Sequence, residues 1–541
     1  MAMKKKVAWG LACCLLLGLI GCQKEQGSSE QSQIGSVGSA SEESSNFNPT
    51  GYPVVNEAIT LTICGSLGSS PTYVGMNLFE HLTKVTGVEF TFEEYSDDVF
   101  REKKALFFGS DDLPDIFIGG EFTDAELMEY GSGGQLLALN DLITQYGPNI
   151  QDAFSQIPDA KAMSTSADGN IYALPLINQV PRDLHLRYWI STTWLENVGK
   201  EVPTTLDEYA EVLRAFQKED ANGNGDPNDE IPLTGTGGVA VDGLILNALG
   251  LNANSADYQL TADENGTVFC LNASDAYREY LRYLRMLYEE KLLDNDFFVQ
   301  TSEQMTAKGE AGILGSFHSA ASYMTCGSEI GYEYTQFDAL TSSLSNKKLV
   351  TAGTGITPGV TAITTACQYP EVALRLLDYC YTEEGSIVCR NGEEGVGWEW
   401  VDDEKTLWEN FVPEGYDNSQ AWRVVVTAAG KLCTWLRVDY QNKQNSSNAL
   451  WLNEMTMEYS EPYFVSQFPS LSLSEEDLNT VTPIITDVTT FVKEARARFI
   501  TGEDDLDGKW DSYIRDLKSM GIDTVVEIYQ PYYDEYRSNL Q

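Results

Sequence analysis

Residues 58–120 read AITLTICGSLGSSPTYVGMNLFEHLTKVTGVEFTFEEYSDDVFREKKALFFGSDDLPDIFIGG, and their rhythm decides the fold. Residues 58–63 alternate in polarity and carry β-branched side chains, the pattern of a strand. A small-residue loop, 65–70, follows. A helical pattern over 73–85, a strand over 88–93 and a helix over 99–108 come next. Gly109-Ser110-Asp111-Asp112 ends that helix, and 114–120 reads as a short buried strand closed by a glycine turn. Strand, helix, strand, helix, strand at this spacing predicts an α/β layer with parallel strands. Ligands in such sheets gather at loops beyond the carboxyl ends of the strands. That points to 65–70 and 119–122. Within the latter, Glu121 is a candidate acceptor for ligand hydroxyls, a solvated surface acid being the alternative.

A second α/β region follows. Residues 184–191 form an extended aromatic stretch. Thr204 caps a helix running through Glu208, Tyr209, Val212, Leu213 and Phe216. Residues 276–290 carry the stripe Tyr277, Tyr280, Leu281, Tyr283, Leu284 and Leu287 on one helical face. Residues 359–364 read as a strand, 370–381 as the helix after it, and the chain from 481 onward as helical. The chain has 541 residues. After the amino-terminal segments described next, roughly 490 remain to fold, more than one core usually holds, so two lobes are expected.

Lys4, Lys5 and Lys6 precede an apolar run over 7–20, then Gly21-Cys22 and a polar stretch. A basic head, a short apolar core and a small residue before the cut define a secretory signal peptide over 1–21. The run is too short to span a bilayer comfortably. Cys22 just after the small residue resembles a bacterial lipobox. That implies cleavage before Cys22 and fatty (palmitate-type) acylation of its thiol and new amino group. Two acyl chains anchor stably where one does not. Residues 22–50 are rich in Ser, Glu, Gly and Gln and lack the apolar side chains to build a core. They are expected to form a flexible tether holding the folded body off the extracytoplasmic face of the cell membrane.

The formal charge is −46. Such a body is repelled by nucleic acid and anionic polymers at long range, so no nucleic-acid partner is expected, and neutral or cationic small ligands are the more natural partners. Beyond Cys13, Cys14 and Cys22, seven cysteines remain, with irregular spacing and no CxxC pair. They read as small buried hydrophobes rather than a disulfide framework. Only three histidines exist, His81, His185 and His318, and none stands in an HExxH pattern. GxSxG, Walker A and GxGxxG are absent. This weighs against zinc hydrolases and Ser-His-Asp enzymes. A glycosidase, which needs only two carboxylates, stays open.

The order of further motifs is recognisable. They include Leu113-Pro114-Asp115-Ile116, Asp168-Gly169-Asn170-Ile171-Tyr172-Ala173-Leu174-Pro175, Val202-Pro203-Thr204-Thr205-Leu206-Asp207-Glu208-Tyr209, Asp229-Glu230-Ile231-Pro232-Leu233, Glu393-Glu394-Gly395-Val396 and Gly508-Lys509-Trp510-Asp511-Ser512-Tyr513. In this order, behind a lipobox, the chain resembles the extracellular solute-binding lipoproteins of bacterial ABC importers, in the carbohydrate-uptake branch. The resemblance covers nearly all of the mature chain and does not specify the ligand. It implies an α/β, two-lobed periplasmic-binding-protein type II architecture with crossing hinge strands, ligand held between the lobes, and closure by hinge motion. Lobe one would take about 51–180 and 351–400, and lobe two about 181–350 and 401–541.

Asp220-Ala221-Asn222-Gly223-Asn224-Gly225-Asp226-Pro227-Asn228-Asp229-Glu230 is the sharpest chemical motif. Calcium takes six to eight oxygens from closely spaced carboxylates, amides and carbonyls. Asp220, Asn222 and Asn224 place oxygens at alternate residues, and Gly225 allows a sharp turn. Asp226, Asp229 and Glu230 complete the candidate set, and members of the resembled family bind a structural calcium in a related loop. A metal-free Asn/Gly turn is the alternative. For the ligand, sugar C–H faces stack on aromatic rings while hydroxyls take polar groups. Trp398 is the first candidate platform, in a glycine-rich loop, followed by Trp189 and Trp400. His318, after an apolar strand, could donate to a hydroxyl. Each of these has a structural alternative in the core.

The expected function is a monomeric, non-catalytic receptor that captures a carbohydrate, an oligosaccharide by preference, and delivers it to the permease subunits of an ABC importer. A lipid-anchored glycoside hydrolase and a receptor for peptide or another solute are the rivals. The lipobox reading is tested by Cys22→Ser, which should release the protein from membranes or leave its precursor uncleaved. Unchanged processing and acyl labelling in that variant would refute it.

Overall fold

The structure, a computed structural model, describes residues 46–236, 241–257, 260–416 and 419–540. The signal peptide and Cys22 lie outside the described residues. The elements expected over 58–120 are all present, with shifted ends: strand Ile59–Ser66, helix Asn77–Thr86, strand Val88–Tyr95, helix Asp97–Ser110 and strand Ile116–Ile118. The first helix stops where Gly87 turns left-handed and donates its N–H to the Thr83 carbonyl. The strand ends at Ile118 because Gly119 is left-handed, and Thr123 then opens the next helix with a capping box to Glu126.

Two sheets organise the body. The first has the order Thr434–Leu436, Ala173–Asn178, Ile356–Ile363, Ile116–Ile118, Ile59–Ser66, Val88–Tyr95. Its strands run parallel except Ile356–Ile363, which is antiparallel to both neighbours. Apolar side chains such as Leu61, Ile63, Ile116 and Ile118 pack there against Leu78, Leu82 and Leu374. The second sheet has the order Tyr334–Gln336, Tyr188–Ser191, Leu314–His318, Ile231–Thr234. Its core is joined by the stripe Tyr277, Tyr280, Leu281, Leu284 and Leu287, and by Val488, Val492 and Phe499 of the long helix Glu475–Thr501.

The expected partition placed 401–541 with the second lobe. The structure returns Thr434–Leu436 to the first sheet, beside Ala173–Asn178. Three residues carry no period, so this return left no pattern to read. All seven cysteines of the described residues are free and buried.

The sheets are linked by crossing segments, 179–187 and 337–355, which hydrogen-bond to each other: Gln179 Nε2 donates to the Thr354 carbonyl at 2.8 Å and Gly353 N to the Leu184 carbonyl at 2.5 Å. The short parallel pair Val350–Ala352 and Phe464–Ser466 lies beside them. Asp338 is buried at this junction. It accepts the Tyr188 N–H at 2.8 Å and the Ser460 hydroxyl, and its carboxylate lies 3.3 Å from His185 Nε2.

The carboxyl-terminal helices are tied to the second lobe by one buried ion pair. Arg496 Nη1 donates to Asp242 Oδ2 at 3.0 Å, and the same carboxylate accepts the Tyr280 hydroxyl and the Ala256 N–H. Removing one partner of such a pair strands a buried charge and costs about 3–5 kcal/mol. Asp242→Ala should therefore lower the unfolding free energy by about that amount, read from urea denaturation. A loss below about 1 kcal/mol would show that the apolar face alone holds the helix.

Candidate functional site

Both sheets point their carboxyl edges toward the crossing segments, where ligands gather in open α/β layers. A cavity of about 570 Å³ opens there. Arg182 reaches it from the crossing segment, Arg390 from the first-lobe helix Glu383–Asn391, and Tyr323 from Ser322–Ile330 in the second lobe. Asn448, at the start of the helix Ser447–Tyr459, and Glu409 line it as well. A separate groove of about 420 Å³, between Phe154, Lys161 and the last helix, lies on the amino-terminal side of Ala173–Asn178, away from the strand ends.

An aromatic group stands beside the inter-lobe cavity. The indole of Trp451 stacks on Trp189 with centroids 5.2 Å apart and planes 10° from parallel. Tyr332 meets Trp451 edge-on at 5.2 Å, and Tyr323 lies at 6.1 Å. Trp189 is fully buried, and its Nε1 donates to the Ser319 carbonyl at 2.9 Å. It stands behind Trp451 with no exposed face of its own. Trp451 is half-buried, and the Tyr332 hydroxyl donates to Asn448 Oδ1. Trp189 is legible in its aromatic stretch, whereas Tyr323, Tyr332 and Trp451 share no motif, the first and last being 128 positions apart.

The structure places Trp398 elsewhere. It is 5 % exposed, donates its Nε1 to the Gly392 carbonyl at 3.0 Å, and packs edge-on against Trp400 at 5.3 Å and Tyr440 at 5.5 Å. The short antiparallel pair Trp398–Trp400 and Trp408–Asn410 builds this cluster, with Trp408 stacked on Tyr440. Trp398 therefore carries no free face. Trp400 is half-buried and flanked by the ammonium groups of Lys405 and Lys443, 5.7 and 5.9 Å from its ring. Both tryptophans line an outer cavity of about 530 Å³ with His81 and Glu393, and neither lines the inter-lobe cavity.

Glu121 stands at the carboxyl edge of the first sheet, engaged by Lys431, whose Nζ lies 2.8 Å from its Oε1 and 3.6 Å from Asp97. Gly119 makes this approach feasible. Its φ is +55°, and a Cβ there would sit 2.6 Å from Lys431 Cδ. Asp97 is held below the usual carboxylate range, first by the Ser66 hydroxyl, then by the Gly68 N–H and Lys431. His318 closes its strand opposite Tyr188, with rings 5.5 Å apart. Burial pushes its imidazole down to about 4, against the pull of Asp338, and Arg187 adds to the depression. It is a neutral imidazole at neutral pH, suited to hydrogen bonding rather than to ion pairing.

The loop 220–230 is a set of nested turns. Asn222 Oδ1 accepts the Asn224 N–H, Asn224 Oδ1 the Asp226 N–H, and Asp220 Oδ2 the Gly225 N–H, at 2.8–2.9 Å. The Asn222 and Asn224 side-chain amides both donate to Asp229. Asp226 Oδ1 accepts from Asn228. Asp220 Oδ1 and Glu230 Oε2 are buried without any hydrogen-bond donor. Burial first, with help from Asp229, raises the Glu230 carboxyl above its ordinary range. Two orphaned oxygens among carboxylates and amides fit a hard cation. Among the described residues no three carboxylate, imidazole or thiol groups form a ready-made metal cluster; the oxygens here come from amides as well as acids.

Two α/β lobes, crossing segments between them and a polar cavity at the junction, with Tyr323 on its wall, define a solute-binding protein of the type II two-lobed architecture. The chain belongs to the bacterial extracellular solute-binding proteins, matched over residues 70–387. It is 28 % identical over 483 residues to the fructooligosaccharide ABC transporter substrate-binding protein FusA of Streptococcus pneumoniae, covering 85 % of this chain and 87 % of that one. A solved structure of a FusA EF-hand mutant in complex with fructo-nystose superimposes with a TM-score of 0.73 at 27 % identity, over 89 % of this chain and all of that one. An extracellular solute-binding protein of Bifidobacterium longum subsp. infantis shares the fold with a TM-score of 0.76 at 20 % identity, over 90 % of this chain and all of that one. FusA is named as the substrate-binding protein of an ABC transporter, and the chain is of that non-catalytic class.

Proposed function

We propose that this protein captures an oligosaccharide in the inter-lobe cavity and delivers it to the permease subunits of an ABC importer. It works as a monomer tethered through acylated Cys22 at the extracytoplasmic face of the cell membrane. The observation that carries the reading is a cavity reached from both lobes whose wall pairs amide and guanidinium groups with Tyr323, itself in ring contact with Trp451. Sugar rings need both an apolar face and a polar edge to be held. FusA, whose relationship spans most of both chains, is named for fructooligosaccharides. The lobes, about 51–180 with 351–400 and Thr434–Leu436, and about 181–350 with the carboxyl-terminal helices, close on the ligand by bending at the crossing segments. His318 and Glu121, at carboxyl ends of strands in opposite lobes, contribute hydrogen bonds as closure brings them in.

The loop 220–230 holds a structural calcium through Asp220, Asn222, Asn224, Asp226, Asp229 and Glu230. The support is the pair of orphaned oxygens of Asp220 and Glu230, and the EF-hand of the FusA mutant structure. A cation bound only to the folded state stabilises it by about 2.7 kcal/mol at a hundredfold excess over its Kd.

Two outcomes test these readings. Titrated calorimetrically with an oligosaccharide panel that includes kestose, the protein should bind at least one glycan without cleaving it. Trp451→Ala should weaken that binding by about tenfold or more, equivalent to about 1.4 kcal/mol. Trp398→Ala should lower stability and leave affinity in place. Hydrolysis of a bound glycan would favour the glycosidase, and binding of a peptide in place of every glycan would leave only the receptor architecture. For the loop, a chelator should lower the melting temperature, and Asp220→Ala or Asp229→Ala should abolish the difference. A melting curve indifferent to chelator and to added calcium counts against the site.

A further inference from the structure

We infer that the oligosaccharide taken by this cleft carries an acidic substituent, which Arg390 and Arg423 hold beside Arg182. The inference rests on the receptor reading and narrows its ligand.

Arg182 and Arg390 both line the cavity. Arg423 stands on the helix Ser419–Val426, whose first residue lines the same cavity. The partners of these guanidinium groups are neutral. Arg182 donates to Asn453 Oδ1 at 2.9 Å and Gln444 Oε1 at 3.1 Å, and Arg423 donates from Nε and Nη2 to Gln420 Oε1. Among the described residues none of the three is ion-paired to a carboxylate. The carboxylates nearby are Asp183, which accepts from Asn178 Nδ2 at 3.0 Å, and Glu409 on the cavity wall. Among the described residues that line the cavity, two guanidinium groups stand against one carboxylate, Glu409, in a chain of formal charge −46.

The cations also repel one another. Burial, and then Arg390, push the Arg423 guanidinium down to about 10, with Asp183 pulling the other way. Arg182 is lowered by the same two causes, while Asp183 and Tyr323 oppose them. Like charges gathered in a partly buried cavity are unfavourable unless something balances them. An arginine fork matches carboxylate, sulfate and phosphate oxygens in two parallel hydrogen bonds. A neutral sugar would use the donors but leave the repulsion in place. An acidic one satisfies both, with its ring against Tyr323 on the cavity wall and its anion at Arg390 and Arg423.

The test titrates the mature protein with four kinds of trisaccharide: unmodified galacturonate, glucuronate and mannuronate trimers, their methyl esters, a sulfated trisaccharide, and neutral kestose. One acidic trimer should bind, its ester or desulfated form at least tenfold more weakly, and added salt should weaken the acidic form alone. The uronate and sulfated arms distinguish a carboxylate from a sulfate ester. Arg390→Gln and Arg423→Gln, with unchanged melting temperatures, should each cost tenfold or more for the acidic trimer. If kestose binds at least as tightly as every acidic trimer, the acidic-ligand inference is overturned and the receptor reading stands. If no trisaccharide of either kind binds, the acidic-ligand inference is overturned, and the receptor reading rests on the wider oligosaccharide panel.

Discussion

The buried carboxylate of Asp338 is the constraint on which the two-lobed arrangement depends. Each lobe has its own sheet and its own core, so neither requires the other to fold. The chain nevertheless crosses between them in segments that belong to neither sheet, and backbone groups there must find partners outside a ladder. Asp338 takes the Tyr188 N–H just where the second sheet begins, the Ser460 hydroxyl from the third strand of chain at the junction, and faces His185 from the first. One side chain thus fixes the mutual position of three distant segments. A carboxylate so deeply buried is tolerated only with such partners, and that makes the junction a defined pivot while the lobes on either side stay separate bodies.

From that pivot the site follows. Arg182 leaves the crossing segment and pins the helix Ser447–Tyr459 through Asn453 and the loop before it through Gln444. The same helix presents Trp451 and Asn448. Trp451 is therefore braced against the crossing segment, with Trp189 stacked behind it and the Trp189 Nε1 held by Ser319. A side chain already held in place by its neighbours need not be ordered again when a ligand arrives, and ordering side chains is one of the main costs of binding.

The periodic parts of this architecture were legible in the sequence, and the parts made by convergence were not. The five elements of residues 58–120 followed from alternation and helical stripes, with ends displaced by a few residues where caps and left-handed glycines decide. The loop 220–230 was visible because its oxygens come from consecutive positions. Trp398 was read as a platform because glycines surround it. Instead its strand pairs with Trp408–Asn410, and burial among Trp400, Trp408 and Tyr440 claims its faces. The aromatic group that does stand at the cleft is assembled from Tyr323, Tyr332 and Trp451, and the cationic group from Arg182, Arg390 and Arg423. Nothing local marks these residues, since only the fold brings them together. The return of Thr434–Leu436 to the first sheet was hidden for the same reason.

An acidic protein with a basic cleft is physically consistent. At physiological ionic strength the Debye length is about 8 Å, so the charges spread over the outer surface are largely screened at greater distances. A small anion approaching the cleft meets the bulk of the −46 charge only as a weak, screened background. Inside the cavity the solvent is thinner and the low-dielectric walls are close, so nearby guanidinium groups dominate the local potential. The outer charge then keeps the body away from anionic polymers at long range, while the charges inside the cavity act only at short range. The two scales do not compete, because screening separates them.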